Sequence, residues 1–382
     1  MVGSQNKPLL GGIAVVAISL CMIVRNEEET LTRCLESVAD LVDDIVIVDT
    51  GSTDRTKSIA DSFGAQIWDF RWIDDFAAAR NFSFTRASSD YVMWLDADDY
   101  LRDEDREKFR NLKASLNPTI DAVMMNYHTS FDANGNVSSS TRRLRLVRRS
   151  AGFCWVGVVH EDLETTETFN YFDSDIAVTH AKPSSRNRGR GRNLAIFEKH
   201  FASGVEPRPT DIFNYARELQ MNENYRLAIE YYQKFLETDD VRVDIALLSL
   251  NNLATCYYMV GDLDKEWACT LKSLEYDIPR PEFSCRIGER FIGRNQFQQA
   301  AFWYELALAH PGAQAEALTT QNYAFTTWLP HKQLGLCYFQ LGDYARSLHH
   351  NEAASRYVPD DPEIQANTAT LRTIVGKSAI RN

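Results

Sequence analysis

Between Ile18 and Tyr100, short apolar runs that end in polar or acidic residues alternate with helix-patterned segments: ISLCMIV, EETLTRCLESVADL, DIVIVD, DRTKSIADSF, AQIWDF and then YVMWLDADDY. Such runs are too short to span a bilayer and lack the alternation of a half-exposed strand. They read as strands buried on both faces, joined by crossover helices into a parallel sheet. Further on, residues 104–117 read as a helix, and DAVMMNYHT and TRRLRLVRR read as strands turning at Asn134-Gly135, so the sheet is expected to be mixed and Rossmann-like. The polar, basic, glycine-containing stretch SSRNRGRGRN marks the end of this α/β domain, which is assigned residues 1–195.

Residues 196–382 read as all-α and repetitive. NYARELQMNENYRLAIEYYQKFLETDD, NNLATCYYMVGDLDKEWACTLKSLEYDIP, RIGERFIGRNQFQQAAFWYELALAHP and KQLGLCYFQLGDYARSLHHNEAASRYVP share an aromatic or leucine face, a turn and a second helix. They resemble tetratricopeptide repeats, whose period is about 34 residues. The turns are expected at Glu223, Gly261, Gly293 and Gly342, with an insertion, PGAQAEALTTQNYAFTTW, in the third interval. Most of the aromatic side chains are expected to pack helix on helix, and the remainder to line a concave surface.

Charge and cysteine content narrow the partners. A formal net charge of −12 opposes wrapping of duplex nucleic acid, which requires a basic face. The seven cysteines are scattered and contain no CxxC, which fits a reducing, cytoplasmic setting better than a disulfide framework. Lys7 followed by the apolar run Gly11 to Val24 superficially resembles a secretory signal, but the run ends in Arg-Asn-Glu-Glu without a small-residue cleavage site and reads as a buried strand. No transmembrane segment is expected.

Asp96-Ala97-Asp98 follows the strand YVMWL and precedes Asp99. Acids this close raise one another's pKa unless a cation lies between them, and oxygen ligands suit Mg2+ or Mn2+. On its own the tripeptide is equally an acidic turn or a helix cap. Its position at the carboxyl end of a strand favours ligand binding, and two more loops emerge from such ends: Val24-Arg25-Asn26-Glu27-Glu28 and Asp49-Thr50-Gly51-Ser52-Thr53-Asp54. Asp49 can accept from a base N–H, and Gly51 lets backbone approach a ligand. Asp54, or Ser52 or Thr53, would cap the next helix.

The ordered set CMIVRNEE, IVIVDTGSTDRT, RNFS and WLDADD, over roughly residues 16–195, resembles the inverting family 2 nucleotide-sugar glycosyltransferases of GT-A fold. The chain also resembles their subset fused to tetratricopeptide repeats, which includes peptide S-glycosyltransferases of glycocin maturation. The resemblance implies that Asn26, Glu27 and Asp49 hold base and ribose, with Val24 and Ser52 in the same two loops, and that Arg80 lies near the phosphates or sugar. It further implies that Asp96, beside Ala97, meets ribose or a metal-bound water, that Asp98 ligates the metal, and that His180 in AVTHAKPSS is a further ligand.

Transfer also requires that the acceptor lose a proton. FCWVGVVHEDLE offers Glu161 as the expected base, with Asp162 second and His160 as a packed neighbour. Lys182, Arg186, Arg188, Arg190 and Arg192 form the dense basic stretch, expected to close over the diphosphate, with Arg188 and Arg190 as its donor contacts. The expected reaction moves a sugar from a nucleotide diphosphate-sugar to a Cys or Ser/Thr side chain of a peptide or protein bound by the repeats, and the repeats could equally form a homodimer. The alternatives are a saccharide or lipid-linked acceptor and a non-catalytic repeat scaffold. A nucleotidyltransferase fits less well, because Arg25-Asn26-Glu27-Glu28 stands where its glycine-rich loop would be.

Overall fold

The structure, a computed structural model, describes residues 9–10, 13–14, 16–181, 191–239, 241–310 and 321–379. Its contacts divide the chain into two compact units, one of Met1–Thr129 with Arg142–Glu218 and one of Ser130–Thr141 with Leu219–Asn382.

The first unit is built on the strands β1 (Ile18–Val24), β2 (Asp44–Asp49), β3 (Gln66–Asp69), β4 (Tyr91–Trp94), β5 (Asp99–Leu101), β6 (Ala122–Phe131) and β7 (Val137–Arg148). A short antiparallel hairpin, β8 (Cys154–Val156) and β9 (Asp162–Glu164), precedes β10 (Tyr171–His180). Excluding that hairpin, the sheet runs β3-β2-β1-β4-β7-β6-β10-β5. Its first four strands are parallel to their neighbours, while β7 joins β4 and β5 joins β10 antiparallel. This is the mixed sheet that the apolar runs imply.

Helices α1 (Leu31–Glu36), α2 (Thr56–Ser62), α3 (Phe76–Phe84) and α4 (Asp103–Ser115) cover the sheet, and α5 (Arg192–Ala202) follows β10. The largest core cluster gathers Ile18, Leu20 and Met22 of β1 with Leu31, Leu35, Phe109 and Val178, which accounts for the unbroken apolar character of β1. Helix α4 stops at Ser115, short of the expected 117, because Pro118 biases the residue before it away from helical backbone. The Asn134-Gly135 turn is present, with Gly135 left-handed at φ +82° and Asp132 accepting from the backbone of Asn134 and Asn136. Asp54 does not cap α2 in the expected way: its carboxylate accepts from Thr56 N and Glu28 N and so ties two loops together.

Helix α6 (Pro209–Met221) begins in the first unit. The second unit is a run of helices: α7 (Tyr225–Leu236), α8 (Val243–Met259), α9 (Leu263–Lys272), α10 (Pro281–Ile292), α11 (Phe297–Ala309), α12 (Trp328–Gln340), α13 (Tyr344–Ser355) and α14 (Pro362–Ala379). Sequence neighbours pack on one another along the run, the arrangement of a helical repeat. Tyr304 and Tyr338 lie in its interior with Leu334 and Cys337, the structural role expected of most repeat aromatics. Three of the expected turn residues, Glu223, Gly261 and Gly342, are left-handed. The fourth is not: Gly293 keeps helical backbone at φ −59°, and Asn295 makes the left-handed turn at φ 55°. Measured from Asn295, the second interval becomes one period of about 34 residues. Among the described residues, no helix is long and apolar enough to cross a membrane.

Candidate functional site

The register of β1 against β2 sets Val24 opposite Asp49, so the two loops following these strands leave the sheet side by side. The loops are knitted together. Asn26, left-handed at φ 54°, donates its backbone N–H to Ser52 Oγ at 2.9 Å and accepts from Thr53 N at 2.7 Å through Oδ1. Glu27 N donates to Thr56 Oγ1 at 2.7 Å, and Thr50 N to Val24 O at 3.0 Å. Asp49 is almost wholly buried; its Oδ1 accepts from Gly51 N and Ser52 N, each at 2.9 Å. Its Oδ2 is buried with no hydrogen-bond partner among the described residues. An unpartnered buried carboxylate oxygen is costly, and a donor arriving from a ligand would satisfy it.

Strand β4 delivers the Leu95–Asp98 segment next to this cradle, with Ala97 buried at its middle. From α3, Arg80 reaches across it: Nη2 donates to Asp96 Oδ1 at 2.6 Å and Nε to Glu161 Oε1 at 2.5 Å. The guanidinium also lies 5.0 Å from the Trp94 ring centroid and 4.8 Å from that of Trp155. Burial opposes the Asp96 charge, but Arg80 and Arg145 outweigh it and hold the carboxyl below the usual range.

The third group is acidic and imidazole-bearing. Strand β10 pairs with β5 so that His180 lies opposite Asp99. His180 Nδ1 is 3.4 Å from Asp98 Oδ1, 3.0 Å from Asp99 Oδ1 and 2.9 Å from Tyr127 Oη. Ligand atoms of Asp98, Asp99 and His180 all lie within 4.8 Å of one another. Asp99 is already engaged, accepting from Arg145 Nη1 at 3.0 Å, from Asp96 N at 3.1 Å and from Tyr127 Oη at 3.0 Å. Burial, followed by the neighbouring Asp96, Asp99 and Glu27, pushes the Asp98 carboxyl up to about 6, against the opposing effect of His180. A divalent cation at Asp98 and His180 would offset that crowding, and a carboxylate oxygen with an imidazole nitrogen is a donor set that such an ion can take.

The β8–β9 hairpin brings the HED sequence to the same place. Asn81 of α3 clamps it by donating to Trp155 O and accepting from Trp155 N, each at 2.8 Å, and Phe76 N donates to Val158 O at 3.0 Å. Its loop contains two left-handed residues, Gly157 at φ +106° and His160 at φ 54°. Glu161 is turned inward onto Arg80, whereas Asp162 lies half exposed, 3.1 Å from Arg143 Nη1. His160 Nε2 faces Glu218 Oε1 of α6 at 2.7 Å.

Thus Asn26, Glu27, Asp49 and Ser52 form one cradle, while Arg80, Asp96 and Glu161 form a single ion-paired group. Asp98 and His180 meet beside them. Arg188 and Arg190, with Lys182 and Arg186, lie outside the described residues. Arg145, Tyr127 and Glu218 join these groups without a motif to mark them in the sequence. Arg145 is fully buried, with its guanidinium carbon 3.8 Å from the Trp94 ring centroid, and its one sequence signal is an arginine set within the apolar alternation LRLV.

The chain is similar in part to several known proteins. The model of Glycosyl transferase family 2 matches residues 19–170. SPbeta prophage-derived glycosyltransferase SunS of Bacillus subtilis is 30% identical over 232 residues, which cover 57% of this chain and 52% of that protein. A TPR repeat-containing protein of Synechococcus elongatus is 51% identical over 90 residues, 24% of this chain and 22% of that one. The chain therefore spans about half, or less, of the length of these curated relatives. Among solved structures, glucosyl-3-phosphoglycerate synthase from Mycobacterium tuberculosis in complex with Mn2+ and UDP-glucose is 14% identical, covering 50% of this chain and 80% of that one at a TM-score of 0.34.

Proposed function

We propose that this chain, which carries a family 2 glycosyl transferase domain fused to TPR-like helices, moves a sugar from a nucleotide diphosphate-sugar, first a UDP-sugar, to a Cys or Ser/Thr side chain of a peptide. The observation that carries the donor half is the convergence of Asp98 and His180 beside the Asp96–Arg80 pair. In this reading Asp49 Oδ2 accepts from the base, Asn26 and Glu27 shape the base and ribose pocket with Val24 and Ser52, and Asp96 meets the ribose. Asp98 and His180 hold Mn2+ or Mg2+, which when bound supplies Lewis-acid stabilisation of the departing diphosphate. Arg80, with the basic segment containing Arg188 and Arg190, adds positive charge to the same end.

Attack by the acceptor on C1 from the side opposite the diphosphate inverts that carbon. The acceptor's proton passes to the 160–162 loop, where Glu161, with Asp162 second, is the proposed carboxylate.

Residues 1–195 are assigned the donor chemistry and residues 196–382 the reading of the peptide. Support for the second assignment comes from the repeat unit. A surface cavity of about 420 Å³ there is lined by Phe291, Gln298, Gln299, Phe302 and Trp303, aromatic faces with amides that suit an extended peptide. The test is mass spectrometry of turnover over a panel of UDP- and GDP-sugars with Mn2+, followed by Cys- and Ser-containing peptides. Donor hydrolysis is expected. Phe302→Ala with Trp303→Ala should lose peptide modification while keeping donor hydrolysis; undiminished peptide modification would remove the cavity from the reading.

A further inference from the structure

We infer that His160 is a further catalytic residue, the proton acceptor on the acceptor's side, and that Glu218 is the positioning residue that fixes it. The inference rests on the transferase reading above and replaces its Glu161 with a neighbour.

Glu161 is poorly placed to act as a base: it is nine-tenths buried, and the Arg80 guanidinium stands 2.5 Å away. Its Oε1 is already engaged as the acceptor of that guanidinium's N–H. Asp162 is half exposed and paired with Arg143 Nη1 at 3.1 Å. His160 is arranged otherwise. Its side chain is one-third exposed, so an incoming group can reach it, and its backbone is held in the left-handed region that a non-glycine residue rarely occupies. Nε2 lies 2.7 Å from Glu218 Oε1, a carboxylate buried to within a few per cent. Asn193 Nδ2 donates to the same oxygen at 3.1 Å. Burial works against the Glu218 charge, but His160 and Asn193 outweigh it and hold the carboxyl below its usual range.

A buried anion paired with one imidazole nitrogen sets the tautomer: Nε2 carries the proton and Nδ1 keeps the lone pair. This is the arrangement in which one group orients a base for a nucleophile, here assembled from a hairpin loop and helix α6. His160 also sits at the site. Its neighbour Glu161 is bound to the Arg80 that holds Asp96, and Arg192 lies within electrostatic reach of Glu218, Glu161 and Glu27.

The step balances without another reactant. The acceptor's S–H or O–H gives its proton to Nδ1, and the sulfur or oxygen electron pair forms the bond to C1. The C1–O bond breaks, and its pair leaves on the diphosphate. The imidazolium that results is stabilised by Glu218.

The test uses the full chain with Mn2+ and the UDP- or GDP-sugar that the native protein hydrolyses fastest, with water and with p-nitrothiophenol as acceptors. The thiol is already ionised at neutral pH and needs no base. His160→Gln should lower transfer to water by about 100-fold or more, leave donor KM unchanged and spare transfer to the thiolate. Glu218→Gln keeps the side-chain size but removes the anion that orients the imidazole, and should reproduce the acceptor-dependent loss in milder form, slower with water and spared with the thiolate. The other groups near the pair, Arg217, Arg192, Asn193 and Glu161, are unchanged in that variant. Equal losses with water and thiolate in either variant would make the pair merely structural and overturn the inference. So would a Glu161→Gln variant that alone shows the acceptor-dependent loss. If the native protein turns over no donor, the transferase reading falls first and this one with it.

Discussion

His180 and Asp98 approach to 3.4 Å across the gap between two strand ends, although the sequence separates them by the whole second half of the sheet. The approach follows from the antiparallel pairing of β10 with β5, which sets His180 opposite Asp99 and so beside the end of the acidic tripeptide.

Removal of either side chain should therefore uncouple the metal from the nucleotide. Asp98→Ala is expected to lower metal-stimulated donor turnover by roughly 100-fold or more, and His180→Ala by less. Calorimetry of UDP binding with and without Mn2+ checks this: the native protein should show metal-dependent affinity and Asp98→Ala should not. Equal metal dependence in both would sink the assignment.

Arg80 carries a different kind of dependence. Replacing it with Ala leaves Asp96 and Glu161 close together in a largely buried setting without their shared cation, a change expected to cost on the order of 3 kcal/mol of stability. Arg80→Lys keeps the charge but loses the fork that reaches both carboxylates, and should fall between. Urea unfolding monitored by tryptophan fluorescence measures both, since Trp94 and Trp155 flank the guanidinium.

In the repeat unit, His331 and His350 face each other with Nδ1 atoms 2.9 Å apart, and His350 stacks on Tyr338. Burial first, then His331, His349 and Arg346, holds the His350 pKa down at about 4. The unfolded chain then binds more protons than the folded one between about pH 6.5 and 4, so stability should fall as pH drops through that window and level off below it. His350→Gln should flatten the fall in melting temperature over the same range; an unchanged slope would exclude the pair as its cause.

Two glycines in helices should respond oppositely to the same change. A Cβ on Gly288 of α10 would lie 2.7 Å from the Tyr304 ring, so Gly288→Ala is expected to cost about 1–3 kcal/mol. Gly376 of α14 is exposed with nothing within 4 Å of an added Cβ, so Gly376→Ala should stabilise by roughly 0.5–1 kcal/mol. Melting temperatures of the two variants, shifting in opposite directions, check the pair.

The sheet and helices were legible because burial imposes apolar runs and helical periodicity directly on the sequence. The loops after β1, β2 and β4 were legible because they follow strands whose ends an apolar run marks. What escaped the sequence depends on distant pairing. Arg145 looks like a surface arginine in a two-faced strand until β7 is placed beside β4, where it is enclosed by Trp94, Tyr127 and Asp99. Glu218 lies in a helix counted with the repeats, and only the folded chain brings it to His160. The turn falls at Asn295 rather than the expected Gly293, because asparagine is among the few non-glycine residues that adopt left-handed backbone.

The β6–β7 ribbon gives the two units a shared history. Its tip, Ser130–Thr141, belongs to the repeat unit, where Gln321 and Asn322 pair with Ser140 and Ser139 and Asn134 donates to Arg356 O. The chain thus enters the second unit, returns to the first and leaves again, and no single scission yields two whole pieces. Truncation ahead of the repeats would strip the ribbon of those partners and bare strand edges that template self-association. Recombination that joined such halves end to end would therefore have needed the ribbon to adapt as well, and exchange of the repeats between relatives should succeed only when the ribbon travels with them.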